Sequence, residues 1–247
     1  MTKCRNQHVS PTRFVQVSLL SVVLLMLGAV GYACTDRFER TYTPQGAAHL
    51  TIKNMNGDIR VNAWDRKTIN VRAITLAPAK VEDRVSGNEF TISVKRHLPP
   101  GAASFDVSVP ANTSITLSNV MGKIEVNGVT GDVAVDSIDG DIRLQGIRAA
   151  SVDVKVTAGN IFFEGDLLDG GSCSLQAVKG DIDVTLPAAT PFDLNARSLS
   201  GAINIGDFIN NLMGGSKLRK NVSGTHLRGG ARLSLTTFSG RVLLHKK

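Results

Sequence analysis

The chain has 247 residues, 42% hydrophobic, 20% charged and 5% aromatic, with 24 glycines and a formal net charge of +7. This composition excludes a wholly disordered chain, which would be poorer in apolar residues. The glycines keep no three-residue period, which excludes a collagen. The length allows one domain or two, and the positive charge at face value invites a nucleic-acid partner.

The N-terminus reads as an export segment. Lys3, Arg5 and Arg13 precede an uncharged run from Phe14 to Cys34, whose most apolar part is Leu19 to Val30. That part has the length of a secretory-signal core and is shorter than a spanning helix. The basic flank would hold the N-terminus in the cytoplasm and send the rest outward. Three fates are open. Gly31 and Ala33 suit cleavage before Cys34, Cys34 is a candidate for lipidation, and the whole run can stay as a membrane anchor. Residues 1–34 are therefore expected to be signal peptide or anchor, 35–44 a short linker, and 45–247 one β-repeat domain.

Export changes the charge argument. Residues 1–34 hold three basic residues and no acid, so residues 35–247 carry 25 − 21 = +4. Residues 206–247 hold eight Lys or Arg against Asp207, while residues 35–205 hold 17 against 20 acids. The body is mildly acidic and the tail basic. With the chain exported, no nucleic-acid partner is expected. Cys173 stands alone in the body, so no disulfide framework can be built there, and it reads as a small buried hydrophobe.

The body repeats one short pattern of Gly, any residue, Ile or Val, any residue, apolar. It begins at Gly57, Gly122, Gly131, Gly140, Gly159, Gly180, Gly201 and Gly240. From Gly122 the intervals are 9, 9, 19, 21, 21 and 39, close to multiples of ten. Alternating runs such as Val152-Asp153-Val154-Lys155-Val156 and Leu233-Ser234-Leu235 stand upstream of the glycines. Alternation at period two gives a strand with one apolar and one wet face. The glycine between the two runs is expected to supply a positive φ at a corner, helped by a flanking Asp or Asn. Asn56-Gly57 and Asp139-Gly140 also allow antiparallel hairpins. The even spacing favours an all-β, single-domain β-solenoid with coils of about twenty residues; its hand is not readable. Residues 43–110 are less regular and read as a capping section of the same sheet.

Between Gly206 and Gly230 the pattern breaks into an inserted basic loop. Lys217, Arg219, Lys220, Arg228 and Arg232 in or beside it are candidates for contact with an anionic surface.

An export signal followed by recurring Gly-Asp-Ile-x-Val units, together with the strand Phe105–Pro110, resembles the bacterial DUF4097 family of adhesin-like β-strand-repeat proteins. The resemblance covers most of residues 45–245. It implies an envelope or surface protein with a repetitive β fold and no established catalytic site, and it supplies no ligand.

Catalytic patterns are not found. His49, His97, His226 and His245 have no Cys or His at metal-ligand spacing, and His8 has only Cys4, so no metal or cofactor is expected. No nucleophile elbow or phosphate-cradling loop is present. Asp58, Asp132, Asp141 and Asp181 follow corner glycines and read as one repeat position. A stacked column of them would suit calcium or sugar hydrolysis, but Lys123, Asn160, Ala202 and Arg241 interrupt it. Of Phe162 and Phe163, which point to opposite faces, one is expected in the core. The leading expectation is a non-enzymatic, exported envelope or surface protein of adhesin type with an unknown partner, touching the membrane through its N-terminal segment. The alternatives are a polysaccharide-processing enzyme on a β-helix and a periplasmic protein that handles lipid or lipopolysaccharide.

Overall fold

The computed structural model describes residues 35–76, 79–95, 101–206, 208, 212–213, 217–218 and 220–247. The segment expected to direct export, with Cys34, lies outside them, as do Arg219 and His97. Cys34–Lys247 form one compact unit. Its strands are β1 (Thr35–Tyr42), β2 (His49–Lys53), β3 (Ile59–Trp64), β4 (Ile69–Leu76), β5 (Val81–Ser86), β6 (Glu89–Val94), β7 (Ala102–Pro110), β8 (Ser114–Met121), β9 (Ile124–Asn127) and β10 (Val133–Asp139). There follow β11 (Ile142–Ala158), β12 (Ile161–Lys179), β13 (Ile182–Leu186), β14 (Phe192–Ser198), β15 (Ile203–Asn204), β16 (Leu212–Met213), β17 (Lys217–Leu218), β18 (Asn221–His226), β19 (Ala231–Ser239) and β20 (Val242–Lys246).

The strands form two ladders, and each coil gives one strand to each. Ladder A runs β6, β2, β8, β10, the second half of β11, the second half of β12, β19 and β14, all parallel. Ladder B runs β7, β3, β9, the first half of β11, the first half of β12, β13, β20 and β15, also parallel. The chain therefore winds as a solenoid, and the hairpin alternative at Asn56-Gly57 and Asp139-Gly140 is replaced by a corner between ladders.

Stack order departs from chain order at both ends. The coil of β2 and β3 lies between that of β6 and β7 and that of β8 and β9. The coil of β19 and β20 lies between β12–β13 and β14–β15. The 39-residue interval from Gly201 to Gly240 is thus a coil that doubles back into the stack.

Alternation explains the core. Inward residues of ladder A stack as Ile52, Leu117, Val135, Val154, Leu175, Leu235 and Ala196. Those of ladder B stack as Ile59, Ile124, Ile142, Ile161, Ile182 and Val242. All are buried, and each large aliphatic side chain removed from water contributes roughly 1.5–3 kcal/mol. Phe163 is buried, whereas Phe162 faces outward under the Arg143 guanidinium, 4.8 Å from its ring centroid. Cys173 is buried in the same core, and burial pushes its thiol up to about 12.

The ends are closed by antiparallel strands. β4 pairs with β7 and β1 with β4 at one end of ladder B, and β5 pairs with β6 on ladder A. At the far end β18 pairs with β14, and β16 and β17 pair with β18. Residues 35–44, expected as a linker, therefore contain an edge strand, and the expected loop 206–230 contains the outermost strands of ladder A. Phe192, Phe208 and His226 pack together there, with ring centroids 4.9 to 5.3 Å apart.

Candidate interaction surface

The corner glycines determine where side chains can project. Seven of the eight stack in one column, in the order Gly57, Gly122, Gly140, Gly159, Gly180, Gly240 and Gly201. From Gly122 onward, a Cβ on each would collide with the carbonyl oxygen of the glycine before it in the stack, and one on Gly57 would collide with that of Ala103. Gly57, Gly122, Gly140, Gly159 and Gly180 have φ of +115° to +146°. Gly201 and Gly240 do not have such φ values, and only the close backbone approach demands glycine there. Gly131 belongs to the opposite corner, where a Cβ would meet the Thr113 carbonyl.

The residue after each glycine carries the next layer of the corner. The Asp58 carboxylate accepts the backbone N–H of Lys123 at 2.9 Å, and Asp141 accepts that of Asn160 at 2.8 Å. The Asn160 amide oxygen accepts the N–H of Asp181 at 2.9 Å. Asp181 in turn accepts the N–H of Arg241 at 2.7 Å and pairs with its guanidinium at 2.6 and 3.0 Å. These hydrogen bonds from Arg241 hold the Asp181 carboxyl below the usual carboxylate range. Asp132 lies apart from this column, at the opposite corner, where it accepts the N–H of Ser151 at 3.0 Å. Each of these Asp side chains is thus engaged with the backbone of the next coil. Among the described residues, no group of three or more His, Cys, Asp or Glu converges as a metal site.

Three residues before each glycine, a second column points inward. Asn54 and Asn119 donate to the Gly57 carbonyl at 3.1 and 3.0 Å, and Thr237 and Ser198 donate to those of Gly180 and Gly240 at 3.0 and 2.9 Å. In mid-stack the same position holds buried Val156 and Ala177. Polar side chains thus serve the glycine carbonyls in the coils toward both ends.

The outer faces of the two ladders differ. On ladder B, registered neighbours alternate in sign: Glu39, Arg72, Asp106, Arg60, Glu125 and Arg143. Arg72–Glu39 and Arg60–Glu125 close at 2.9 and 2.8 Å. The Arg72 guanidinium holds the Glu39 carboxyl below its ordinary range. This face is neutralised within itself.

On the ladder A side, the residue two before each of the seven stacked glycines is apolar in six coils; Met55 in the first is half-buried, and the rest face water. Val120, Ile138, Val178, Phe238 and Leu199 are 37%, 52%, 48%, 57% and 53% exposed. With Met55 and Thr157 they form one column of seven, about 29 Å long at a strand spacing of about 4.8 Å. Beside it runs an open groove of about 540 Å³ whose lining includes Lys155, Val178, Arg197, Leu199 and Phe238. Exposed apolar residues aligned on an otherwise polar face make this column the candidate interaction surface. The signal was present in the sequence: counting back two residues from each of the seven stacked glycines reads Met, Val, Ile, Thr, Val, Leu and Phe. It emerges only once the glycines are known to stack.

The basic residues of the tail are distributed over the far end of the stack. Lys220 is exposed, and its carbonyl accepts the N–H of Ser198 at the end of β14. Arg228 is exposed in the turn after β18, and Arg232, also exposed, pairs in register with Asp193 near the start of β14. Lys220 thus lies at one end of β14 and Arg228 and Arg232 at the other. Lys217 lies in β17.

Comparison with known proteins agrees with this architecture. A candidate cell adhesion protein from Clostridium sporogenes ATCC 15579 superposes with a TM-score of 0.56 at 12% identity, covering 87% of this chain and 100% of its own. A candidate adhesin from Bacteroides fragilis NCTC 9343 gives a TM-score of 0.42 at 13% identity, covering 86% and 97%. No curated protein matches the chain. The first of these structures shares the fold. The model of the Toastrack DUF4097 family matches residues 47–168, the family that the recurring glycine units resemble.

Proposed function

We propose that the chain is an exported, non-enzymatic protein of the cell envelope or surface that acts in the manner of an adhesin, holding a partner against the outer face of ladder A. The observation that carries this reading is the column of Val120, Ile138, Val178, Phe238 and Leu199, stacked on a scaffold whose register fixes their spacing. The family match over residues 47–168 and the name borne by the similar Clostridium sporogenes structure point the same way. The polysaccharide-enzyme alternative needs carboxylates free to act on a sugar, and Asp58, Asp141 and Asp181 are engaged with backbone N–H groups. In the native host, a strain lacking the chain is complemented with the wild type or with V178D/F238D, and surface attachment is measured. Attachment restored by the wild type and lost in the variant is expected. Unchanged attachment in the strain lacking the chain overturns the reading.

A second reading, lipid handling, is favoured by the groove beside the column, whose lining includes Lys155 and Arg197. It requires that a fluorescent fatty acid bind the full chain and be released by F238D. The absence of binding removes it.

A further inference from the structure

We propose that two copies of this chain join edge to edge through β1, antiparallel about a two-fold axis at Phe38. Among the described residues, β1 pairs only through one edge, with β4. The other edge presents a row of backbone N–H and C=O groups that can accept another strand. A charged edge ordinarily keeps such strands apart. Here the charges cancel in a single register.

The strand reads Thr35-Asp36-Arg37-Phe38-Glu39-Arg40-Thr41-Tyr42. In an antiparallel pair centred on Phe38, Asp36 stands opposite Arg40 of the second copy and Arg37 opposite Glu39, and the two-fold repeats both pairs. All the charged positions of the strand then face the opposite sign. Centring on Asp36, Arg37, Glu39 or Arg40 sets that residue against itself, with like charges in contact, which is destabilising across strands.

The faces are compatible as well. Glu39 registers with Arg72 on the outer face, and Phe38 registers with buried Ala73 on the inner face. A two-fold axis normal to the sheet keeps outer residues with outer residues. Ladder B supplies an independent argument. Its outer column alternates in sign from Arg143 through Glu125, Arg60, Asp106 and Arg72 to Glu39, where the stack ends on an acid. Arg37 of the second copy is the next member of that alternation.

The test uses the full chain in detergent micelles, with mass read by sedimentation. A reversible dimer is expected. R37E places an acid opposite Glu39 in both symmetry-related pairs and should weaken association at least roughly tenfold without altering the far-UV spectrum. E39R alone should weaken it too, and mixing R37E with E39R should restore a heterodimer, because both pairs between the two variants are then of opposite sign. As a check that does not depend on charge, R37C and E39C are made in a C4S/C34S background. Opposed strand residues lie within disulfide reach, and diagonal ones lie beyond it. The mixture should cross-link, and neither variant alone should. A monomer at every concentration, or a dimer that ignores R37E and fails to cross-link in the mixture, overturns the proposal.

Discussion

The glycine column offers the sharpest test of how the stack is held, because two causes act on it and three substitutions separate them. Gly170 has φ +71° and open space around it, so G170A adds only backbone strain. That strain costs about 1–2 kcal/mol, offset by about 0.4–1 kcal/mol from a less flexible unfolded chain. Gly240 lacks a left-handed φ, but its Cβ would collide with the Gly180 carbonyl. A carbon–oxygen contact relaxes only near about 3.3 Å, so G240A must push the two coils apart by about an ångström. Overpacking of this kind costs about 1–3 kcal/mol, and weakened ladder hydrogen bonds add about 0.5–1.5 kcal/mol each. G240A should therefore cost about 3 kcal/mol or more. G180A combines both causes and should be worst, since Gly180 has φ +146° and would collide with the Gly159 carbonyl. At about 2–4 °C per kcal/mol for a domain of this size, G170A should lower the calorimetric Tm by a few degrees at most. G240A should lower it by roughly 6 °C or more. If G240A proves no worse than G170A, close approach between coils does not hold the column, and the argument fails.

Three further outcomes follow from the same geometry. The folded-state pKa of Asp181 is depressed by Arg241, so its contribution is present above the unfolded carboxylate pKa and is lost as pH falls through the folded value. Urea unfolding between about pH 5 and pH 2 should therefore show a steeper acid loss in the wild type than in D181N, which keeps an acceptor for the Arg241 N–H but carries no charge; parallel pH profiles would contradict this. Calcium should leave the Tm unchanged, because the column carboxylates already accept backbone N–H groups; a shift of several degrees that chelator reverses would show a binding site instead. In a C4S/C34S background, Cys173 should resist a thiol reagent while folded and react on denaturation, since burial keeps it protonated and covered; rapid native-state labelling would show that the core opens there.

Much of this fold is legible in the sequence because alternation and glycine spacing are local signals. Val133, Val135 and Ser137 on one parity and Ala134 and Asp136 on the other are enough to place β10 with its buried face. The stacking order was not legible. Nothing in residues 231–246 distinguishes a coil that follows β15 from one that slips in before it, because every coil presents the same Ile, Val or Leu positions to its neighbours. The same degeneracy hid the difference between the two corners. Gly131-Asp132-Val133 and Gly140-Asp141-Ile142 match the same pattern, yet one opens a ladder A strand and the other a ladder B strand. Of the candidate site, the exposed apolar residues looked like ordinary strand members until the corner column fixed their parity. The basic residues stood out as a run, but β18 reverses the chain and carries Lys220 away from Arg228.

The two displaced coils also bear on how the chain folds and comes apart. A simple solenoid can add or shed its terminal repeat against a single neighbour, which makes its ends the first part to fray. Here the C-terminal coil of β19 and β20 is wedged between a coil that ends at Leu186 and one that ends at Asn204. It cannot leave without separating both, and it cannot dock until residues some forty to sixty positions upstream are in place. The first coil is held in the same way between β7 and β9. Contacts of such separation slow folding, and they should protect the chain's own end. Amides of β20 should exchange with solvent as slowly as those of β13, and fast exchange confined to β20 would show that the wedge does not hold. The outermost strands, β1 on β4 at one end and the short β16 and β17 on β18 at the other, are then where unravelling begins.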